Sequence, residues 1–234
     1  MSFLNAEWRK LIVVNYEVPT SVLEKYVPKG TQLDLWNGKC YLSLVGFMFL
    51  NTKILGIKIP FHINFEEVNL RFYVKRILDN EERRGVVFIK EIVPKAALSF
   101  VANTIYKEHY ETMPMSHSWE ESKDVRTITY NWKKKNQWHN VSVIADVQAR
   151  KIVVGSDVEF ITEHYWGYSK GKTKTNEYEV THPTWEHYPV QSYEVNADFG
   201  VTYGEEFQFL NDLEPSSVML AEGSEITVEG KTKM

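Results

Sequence analysis

Hydrophobic and polar residues alternate with a period of two along much of this chain, a pattern typical of β-strands that bury one face. The first strand is predicted over 8–16. The pair Asn37-Gly38, between the runs 31–36 and 39–50, predicts a hairpin, because these residue types favour tight two-residue turns. Further strands are predicted at 65–76, 85–93, 124–133, 138–148, 157–163, 176–181 and 190–195, with one or two more in the tail 216–228.

Helical patterns are fewer. A short helix is predicted over 21–26, where Ser21 and Glu24 have the S-x-x-E spacing of a capping box. A longer helix is predicted over 95–108, where apolar side chains recur at helical spacing, and a weaker helical pattern covers 204–212. The apolar stripe of the longer helix consists of Ala97, Phe100, Val101, Thr104 and Ile105.

These elements indicate a mainly β (α+β) fold. No internal repeat, low-complexity segment or linker interrupts the pattern, so residues 1–234 are expected to form a single domain. Many antiparallel strands in one domain favour a β-barrel-like sheet with two or three helices, because closing a sheet removes its exposed edges. A small barrel can also enclose one small ligand. Polar residues that point into the barrel are therefore the candidates for a binding site.

Charge and composition exclude several classes of function. The 27 basic and 31 acidic residues give a net charge of −4, unlike the basic surface that binds duplex nucleic acid. The longest nearly apolar run, 41–50, is about half of the ~20 residues that a membrane-spanning helix needs. Glu7, Arg9 and Lys10 stand where a signal peptide would be apolar, and the single cysteine, Cys40, fits a reducing compartment. We therefore expect a cytoplasmic protein that binds neither nucleic acid nor membrane.

The segment 65–74 departs from the usual strand pattern, because one of its two faces carries Glu67, Asn69, Arg71 and Tyr73 in a row. The other face consists of Val68, Leu70, Phe72 and Val74. Two interpretations stay open: the polar row is the solvated surface of a half-buried strand, or it points inward. If it points inward, Arg71 could hold a carboxylate through two hydrogen bonds, and Glu67 could act as an acid or base.

Large aromatic side chains are frequent, with 13 Tyr, 12 Phe and 7 Trp. Such rings combine apolar area with a polar end, which suits the wall of a cavity. His164 and Trp166 share one face by period two and are candidates for that wall, as are Tyr165, Tyr178 and Trp185. Ordinary core packing is the alternative. No H-E-x-x-H or other metal motif is present, so neither a metal nor a cofactor is expected.

The sequence Phe65-x-Glu67-x-Asn69-x-Arg71-x-Tyr73-Val74 resembles the YqjF-like family of uncharacterised bacterial proteins. Further motifs in the same order extend the resemblance over about residues 8 to 230. They include Val27-Pro28-x-Gly30, Leu33-Asp34-Leu35-x-Asn37-Gly38, Tyr41-x-Ser43-Leu44-Val45-x-Phe47, Phe160-Ile161-Thr162-Glu163-His164-Tyr165-Trp166-x-Tyr168 and Tyr178-x-Val180-x-His182-Pro183-x-Trp185.

This family is similar in fold to acetoacetate decarboxylase, a β-barrel-like domain with an internal cavity. In that enzyme a lysine forms a Schiff base with a keto acid, supported by a second lysine, an arginine and glutamates. The resemblance implies that Arg9 and Glu67 take the places of the arginine and of one glutamate. It implies Lys95 as the lysine, with Lys90 as the other candidate, although Ala96 stands in place of the second lysine.

Three hypotheses for the function follow. The first is a protein that binds a small, anionic organic molecule in an aromatic-lined cavity. The second is a decarboxylase-like enzyme in which Lys95 and Glu67 are catalytic, and the third is a structural module or homo-oligomer without a ligand. The residues assigned to the ligand are Arg9, Glu67, Asn69, Arg71, Tyr73, His164 and Trp166.

Overall fold

The computed structural model describes residues 2–105, 108–171 and 174–234. The strands in these ranges are β1 (Leu4–Glu17), β2 (Gln32–Leu33), β3 (Tyr41–Ile54), β4 (Phe65–Leu78), β5 (Glu81–Val93), β6 (Tyr110–Thr112), β7 (Met115–Glu121), β8 (Val125–Lys134), β9 (Gln137–Asp146), β10 (Arg150–Lys151), β11 (Trp166–Lys170), β12 (Thr175–Thr181), β13 (Glu186–Tyr188), β14 (Val190–Asn196), β15 (Ser217–Val228) and β16 (Thr232–Lys233). The helices are α1 (Thr20–Leu23), α2 (Ala96–Ile105), α3 (Asp157–Thr162) and α4 (Phe199–Tyr203), with 3-10 helices at Glu24–Tyr26 and Glu205–Asn211.

The larger of the two sheets closes on itself. Its central strands follow the order β15-β1-β3-β4-β5-β11-β12, and β12 pairs again with β15, where Val180 lies opposite Val228. Neighbouring strands in this ring are antiparallel except for β5 and β11, which run parallel. Closure encloses one face of every strand in the ring. The mainly β, barrel-like fold predicted from the sequence is therefore confirmed.

A second sheet, in the order β14-β9-β8-β7, covers the outer face of the barrel wall. The side chains that meet between the two sheets include Val14, Leu44, Leu70, Phe72, Tyr130, Trp132, Val141 and Val143. The opposite faces of β1, β3 and β4 contribute to the interior of the barrel, through Leu11, Val13, Val45, Phe47 and Tyr73. Strands β1, β3 and β4 are thus buried on both faces, which accounts for the nearly continuous apolar run in β3.

The segment 157–163 forms helix α3 instead of the predicted strand. Ser156 caps the helix, since its Oγ accepts a hydrogen bond from the backbone N–H of Glu159 at 3.2 Å. Phe160 and Ile161 are both buried on the inner side of the barrel. A short apolar run fits a strand or one buried turn of helix equally well, and in this segment the cap decides between them.

The capping box predicted at Ser21 and Glu24 does not form. Helix α1 begins directly after Pro19, one residue earlier than predicted, and no side chain caps its first turn. The hydroxyl of Thr20 donates a hydrogen bond of 3.3 Å to Glu24 instead. The 3-10 turn at Glu24–Tyr26 completes the predicted helical segment.

The turn predicted at Asn37-Gly38 forms, but the hairpin does not. Both residues have positive φ angles, 49° and 81°, and Trp36 and Lys39 make an isolated bridge across the turn. Strand β2 then pairs with β4 rather than with β3, so the chain on the two sides of the turn separates.

Helix α2 confirms the longer predicted helix but not the burial of its apolar stripe. Phe100 is 72% exposed and Ala97 and Thr104 are also exposed, while the side chains of Val101 and Ile105 lie outside the described residues. The weaker pattern over 204–212 corresponds to the second 3-10 helix. Among the described helices, none is long and apolar enough to cross a membrane.

Strands β11 and β12 approach closely at Gly167, where a larger residue would collide with the neighbouring strand. Gly167 lies opposite Tyr178, and a Cβ atom at Gly167 would come within 2.1 Å of Cζ in the tyrosine ring. The ring is buried and hydrogen-bonded, so it has little freedom to move aside. We expect Gly167→Ala to lower the free energy of unfolding by about 1–3 kcal/mol in denaturant titrations. Gly230→Ala, with no atom within 4 Å of the added Cβ, is the matched control and should leave stability nearly unchanged.

Candidate functional site

The barrel encloses a cavity of about 150 Å³. A pocket of about this volume has room for a small organic molecule. Most of its wall is apolar, and the large rings in the wall are those of Phe3, Trp8, Phe47, Phe49, Phe65, Phe88 and Trp166. Its polar side chains are Glu67, Asn69, Arg71, Glu91, Glu108, Tyr110, His164 and Tyr178. The site is therefore a mostly apolar pocket with a concentrated set of titratable groups.

The polar face of β4 points into the barrel. Glu67, Asn69, Arg71 and Tyr73 are 2%, 1%, 8% and 1% exposed, which rules out a solvated outer surface for this face. The first three line the cavity. Tyr73 lies on the same face but is not part of the cavity lining. Its hydroxyl forms a hydrogen bond of 2.9 Å with the hydroxyl of Ser43.

A β-bulge in β5 decides which side chains the neighbouring strand contributes. Leu70 of β4 lies opposite Lys90, but the next residue, Arg71, lies opposite Phe88, so Ile89 is the extra residue. Regular alternation from Phe88 would turn Lys90 toward the cavity. With the bulge, Glu91 points inward and Lys90 points outward, where it contacts Glu111 at 2.9 Å.

Three glutamate side chains come together in the cavity. Glu67 accepts hydrogen bonds from Asn69 Nδ2 at 3.0 Å and from the hydroxyl of Tyr110 at 3.3 Å. Glu108 accepts a hydrogen bond of 3.0 Å from the hydroxyl of Tyr178. Glu91 contributes the third carboxyl group, and its Oε2 is buried without a hydrogen-bond partner. We call Glu67, Glu91 and Glu108 the acid cluster.

Burial and mutual repulsion keep protons on the acid cluster. Burial raises the pKa of Glu67 to about 7, against the hydrogen bonds from Asn69 and Tyr110 and the charge of Arg71. Burial likewise raises the pKa of Glu108 to about 8. For Glu91, burial and then the charges of Glu108 and Glu67 raise the pKa well above its usual range. The acid cluster is therefore largely neutral near pH 7.

Arg71 supplies a positive charge without an anionic partner, although its guanidinium lies 5.8 Å from the centroid of the Tyr73 ring. Its guanidinium makes no hydrogen bond and no ion pair in the described part of the chain, and its Nε is buried and unsatisfied. The charge acts electrostatically on Glu67, yet the two side chains form no salt bridge. A buried guanidinium without an anion is costly, so the arrangement leaves a place for one.

His164 lines the cavity as a neutral imidazole. Burial lowers the pKa of His164 to about 4, against the hydrogen bond to Asp34. Because the neutral ring carries one proton, Nε2–H donates to Oδ2 of Asp34 at 3.1 Å, and Nε of Arg84 donates to the same oxygen at 2.7 Å. The remaining nitrogen, Nδ1, is buried without a partner. The ring packs against Tyr73, with 4.7 Å between centroids.

Arg9 lies outside the cavity lining, so we leave it out of the candidate site. Its guanidinium pairs with Glu7 at 2.7 Å and reaches the backbone carbonyl of Gly223, next to Glu222. The alternation of β1 is interrupted at Lys10, where φ is 55° and the pairing with β3 shifts register. A bulge thus separates the two halves of this strand, a feature that residue types alone do not reveal.

Lys95 also lies outside the lining. It is half-buried and interacts electrostatically with Glu66, which bonds His117 of the smaller sheet at 2.7 Å. Glu66 and Glu67 are neighbours on a strand and point to opposite faces, so Lys95 belongs to the outer side of β4. Among the described residues that line the cavity, none is a lysine.

Of the proposed site residues, the structure brings Glu67, Asn69, Arg71, His164 and Trp166 together around the cavity. Of the other rings predicted for the wall, Tyr178 lines it, whereas Tyr165 and Trp185 do not. Sequence reasoning missed Glu91, Glu108 and Tyr110. One signal pointed to Glu91, which with Lys90 interrupts the apolar run at the end of β5. In the described ranges, no group of His, Cys, Asp and Glu side chains is arranged to hold a metal ion.

The chain belongs to the DUF2071 family. The model of this family, described as an uncharacterized conserved protein, matches residues 5–225. The protein YqjF of Bacillus subtilis (strain 168) is 34% identical over 68 residues, a stretch that covers 29% of this chain and 28% of that relative. The resemblance to YqjF-like proteins is thereby confirmed.

Solved structures share the fold. Acetoacetate decarboxylase from Legionella pneumophila superimposes with a TM-score of 0.67 at 11% identity, over 99% of this chain and 86% of that one. The enduracididine biosynthesis enzyme MppR, complexed with pyruvate, superimposes with a TM-score of 0.68 at 10% identity, over 100% and 91% of the two chains. At such low identity these likenesses establish the fold alone.

The acid cluster predicts how stability depends on pH. The folded protein keeps its carboxyl protons above the pH at which the unfolded chain loses them, so stability falls as pH rises through the folded pKa values. His164 acts oppositely, but only below its unfolded value of about 6.5, where the unfolded chain gains a proton first. Between about pH 6.5 and pH 8.5 we therefore expect the free energy of unfolding to fall by about 1–3 kcal/mol.

The decline is checked by denaturant titration across this pH range. The double variant Glu67→Gln/Glu108→Gln should make it shallower, because neither amide titrates and Glu91 is the one member of the acid cluster that remains. Glu186→Gln, at an exposed position on β13, is the matched control and should show the same decline as the unmodified protein. An unchanged slope in the double variant would show that the acid cluster does not hold these protons.

Proposed function

We propose that this protein binds a small organic acid in the barrel cavity and that Arg71 binds its carboxylate. The observation that carries the proposal is the buried, unpaired guanidinium of Arg71 in the cavity wall. Arginine binds carboxylates through two parallel hydrogen bonds, and such charge-assisted bonds are strong where water is excluded. A bound anion would supply the missing partner.

The remaining wall supports a ligand with an apolar body. Trp8, Phe47, Phe49 and Phe65 contribute large apolar rings to the wall. Contact with these rings would remove the apolar body of a ligand from water and so add to its affinity. The fold supports the same proposal, because MppR has been solved in complex with pyruvate, a small organic acid.

The Schiff-base alternative finds less support. It requires a lysine amine in the cavity, and neither Lys90 nor Lys95 lines it. Lys90 is engaged with Glu111 at 2.9 Å and with the carbonyl of Thr202 at 2.5 Å, so its amine is held on the outer side of β5. Binding without covalent attachment is therefore the function that the described residues favour.

Removal of the Arg71 charge tests the proposal. Phenylpropanoate, isocaproate and pyruvate are titrated against the protein by calorimetry. We expect the acids with apolar bodies to bind more tightly than pyruvate, and Arg71→Gln to weaken their binding by about tenfold or more. The matched control is Arg9→Gln, an arginine on β1 outside the lining, which should bind as the unmodified protein does. Equal affinities in the Arg71 variant, or no binding of any acid, would contradict the proposal.

Borohydride trapping tests the alternative. After incubation with pyruvate or acetoacetate and reduction, we expect no adduct on Lys90 or Lys95 by mass spectrometry of tryptic peptides. Because Lys107 lies outside the described residues, the same digest is searched for that peptide as well. A lysine adduct that disappears in the corresponding Lys→Arg variant would establish covalent chemistry.

A further inference from the structure

The polar part of the cavity has two chemically different ends. One is the positive guanidinium of Arg71, and the other is the acid cluster of Glu67, Glu91 and Glu108. Asn69 stands between them on β4 and lies opposite Glu91 of β5. Arg71 and Glu67 interact electrostatically without forming a salt bridge, so the two ends are near one another but not joined.

We propose that the ligand is zwitterionic: an amino acid, or a closely similar molecule, whose carboxylate meets Arg71 and whose ammonium group meets the acid cluster. This inference rests on the proposed function, because it keeps the carboxylate at Arg71 and assigns the opposite end. The apolar part of the cavity then receives the side chain of the ligand.

Unfilled hydrogen-bonding capacity supports an ammonium group at the acid cluster. Glu91 is 2% exposed, and the structure leaves its Oε2 without a donor. The Oδ1 atom of Asn69 is also buried without a donor. An ammonium group has three N–H donors and no acceptor, so it fits a set of oxygens that lack donors.

Charge gives a second reason. Three carboxyl groups in one pocket repel one another when ionised, and burial together with this repulsion favours their protonated forms. A bound ammonium group would pair with ionised carboxylates and favour the release of their protons. The described residues offer no arrangement for a metal ion, which leaves an organic cation as the fitting partner.

Matched ligands test the two ends separately. One series is phenylalanine, phenylpropanoate and phenethylamine; a second is leucine, isocaproate and isoamylamine. Within each series the three compounds share the same apolar group. The amino acid carries both charged groups, the acid lacks the ammonium group, and the amine lacks the carboxylate. By calorimetry at neutral pH we expect each amino acid to bind at least about tenfold more tightly than the acid or the amine of its series.

Proton release gives an independent measurement on the unmodified protein. Titrations in phosphate and in Tris, which differ in heat of ionisation, report the protons exchanged on binding. We expect the amino acids to release protons from the acid cluster and phenylpropanoate to release none. This comparison does not depend on the folding of any variant.

Variants then test which charged group of the ligand binds at Arg71 and which at the acid cluster. Glu91→Gln and Glu108→Gln should weaken the binding of phenylalanine by about tenfold while phenylpropanoate keeps its affinity within about threefold. Arg71→Gln should weaken both. Glu186→Gln, on the surface of β13, is the matched control and should change neither.

The outcomes separate the two proposals. If phenylpropanoate and isocaproate bind as tightly as the amino acids, the zwitterionic ligand is wrong while the acid site at Arg71 stands. If the amines bind most tightly, or if none of the six compounds binds, the zwitterionic ligand is also wrong. Loss of acid binding altogether contradicts the proposed function itself.

Discussion

Strand β4 is removed from water on both of its faces, and the wall of the barrel and the candidate site are built around that burial. Its apolar face packs with the smaller sheet, and the closed barrel encloses its other face. Glu67, Asn69 and Arg71 consequently lose their water, and the protein must satisfy them from within. It does so for Glu67, through Asn69 and Tyr110, and leaves Arg71 without a partner. An incomplete polar network in a closed space is the physical basis of a binding site.

The bulge at Ile89 determines the chemistry of that space. Regular pairing continued from Arg71 and Phe88 would place Lys90 opposite Asn69, with its amine on the cavity side of β5. The extra residue exchanges that amine for the carboxyl group of Glu91. Because Glu91 lies near Glu67 and Glu108, each ionised carboxylate opposes ionisation of the others, and the pocket holds protons instead of a nucleophilic lysine.

Much of the fold and part of the site could be predicted from local patterns. Alternation identified the polar row on β4, and the inward interpretation of that row is the one that the structure bears out at Glu67 and Arg71. The same rule failed at Lys90, because a bulge reverses the face of all later residues without a change in residue types. Glu108 and Tyr110 were missed for a different reason. They reach the cavity through the parallel pairing of β6 with β5, a long-range contact that no local spacing encodes.

Local patterns in the sequence establish a mainly β chain that is acidic rather than basic, with one strand whose polar face is either solvated or part of a site. Those properties can be recognised from composition and from the alternation of neighbouring residues. The pairing of β12 with β15, the enclosure of the polar face, and the presence of carboxyl groups instead of an amine beside Arg71 emerge in the folded chain. Closure and register are set by contacts between strands far apart in the chain, where the burial of whole faces outweighs the preference of any single residue.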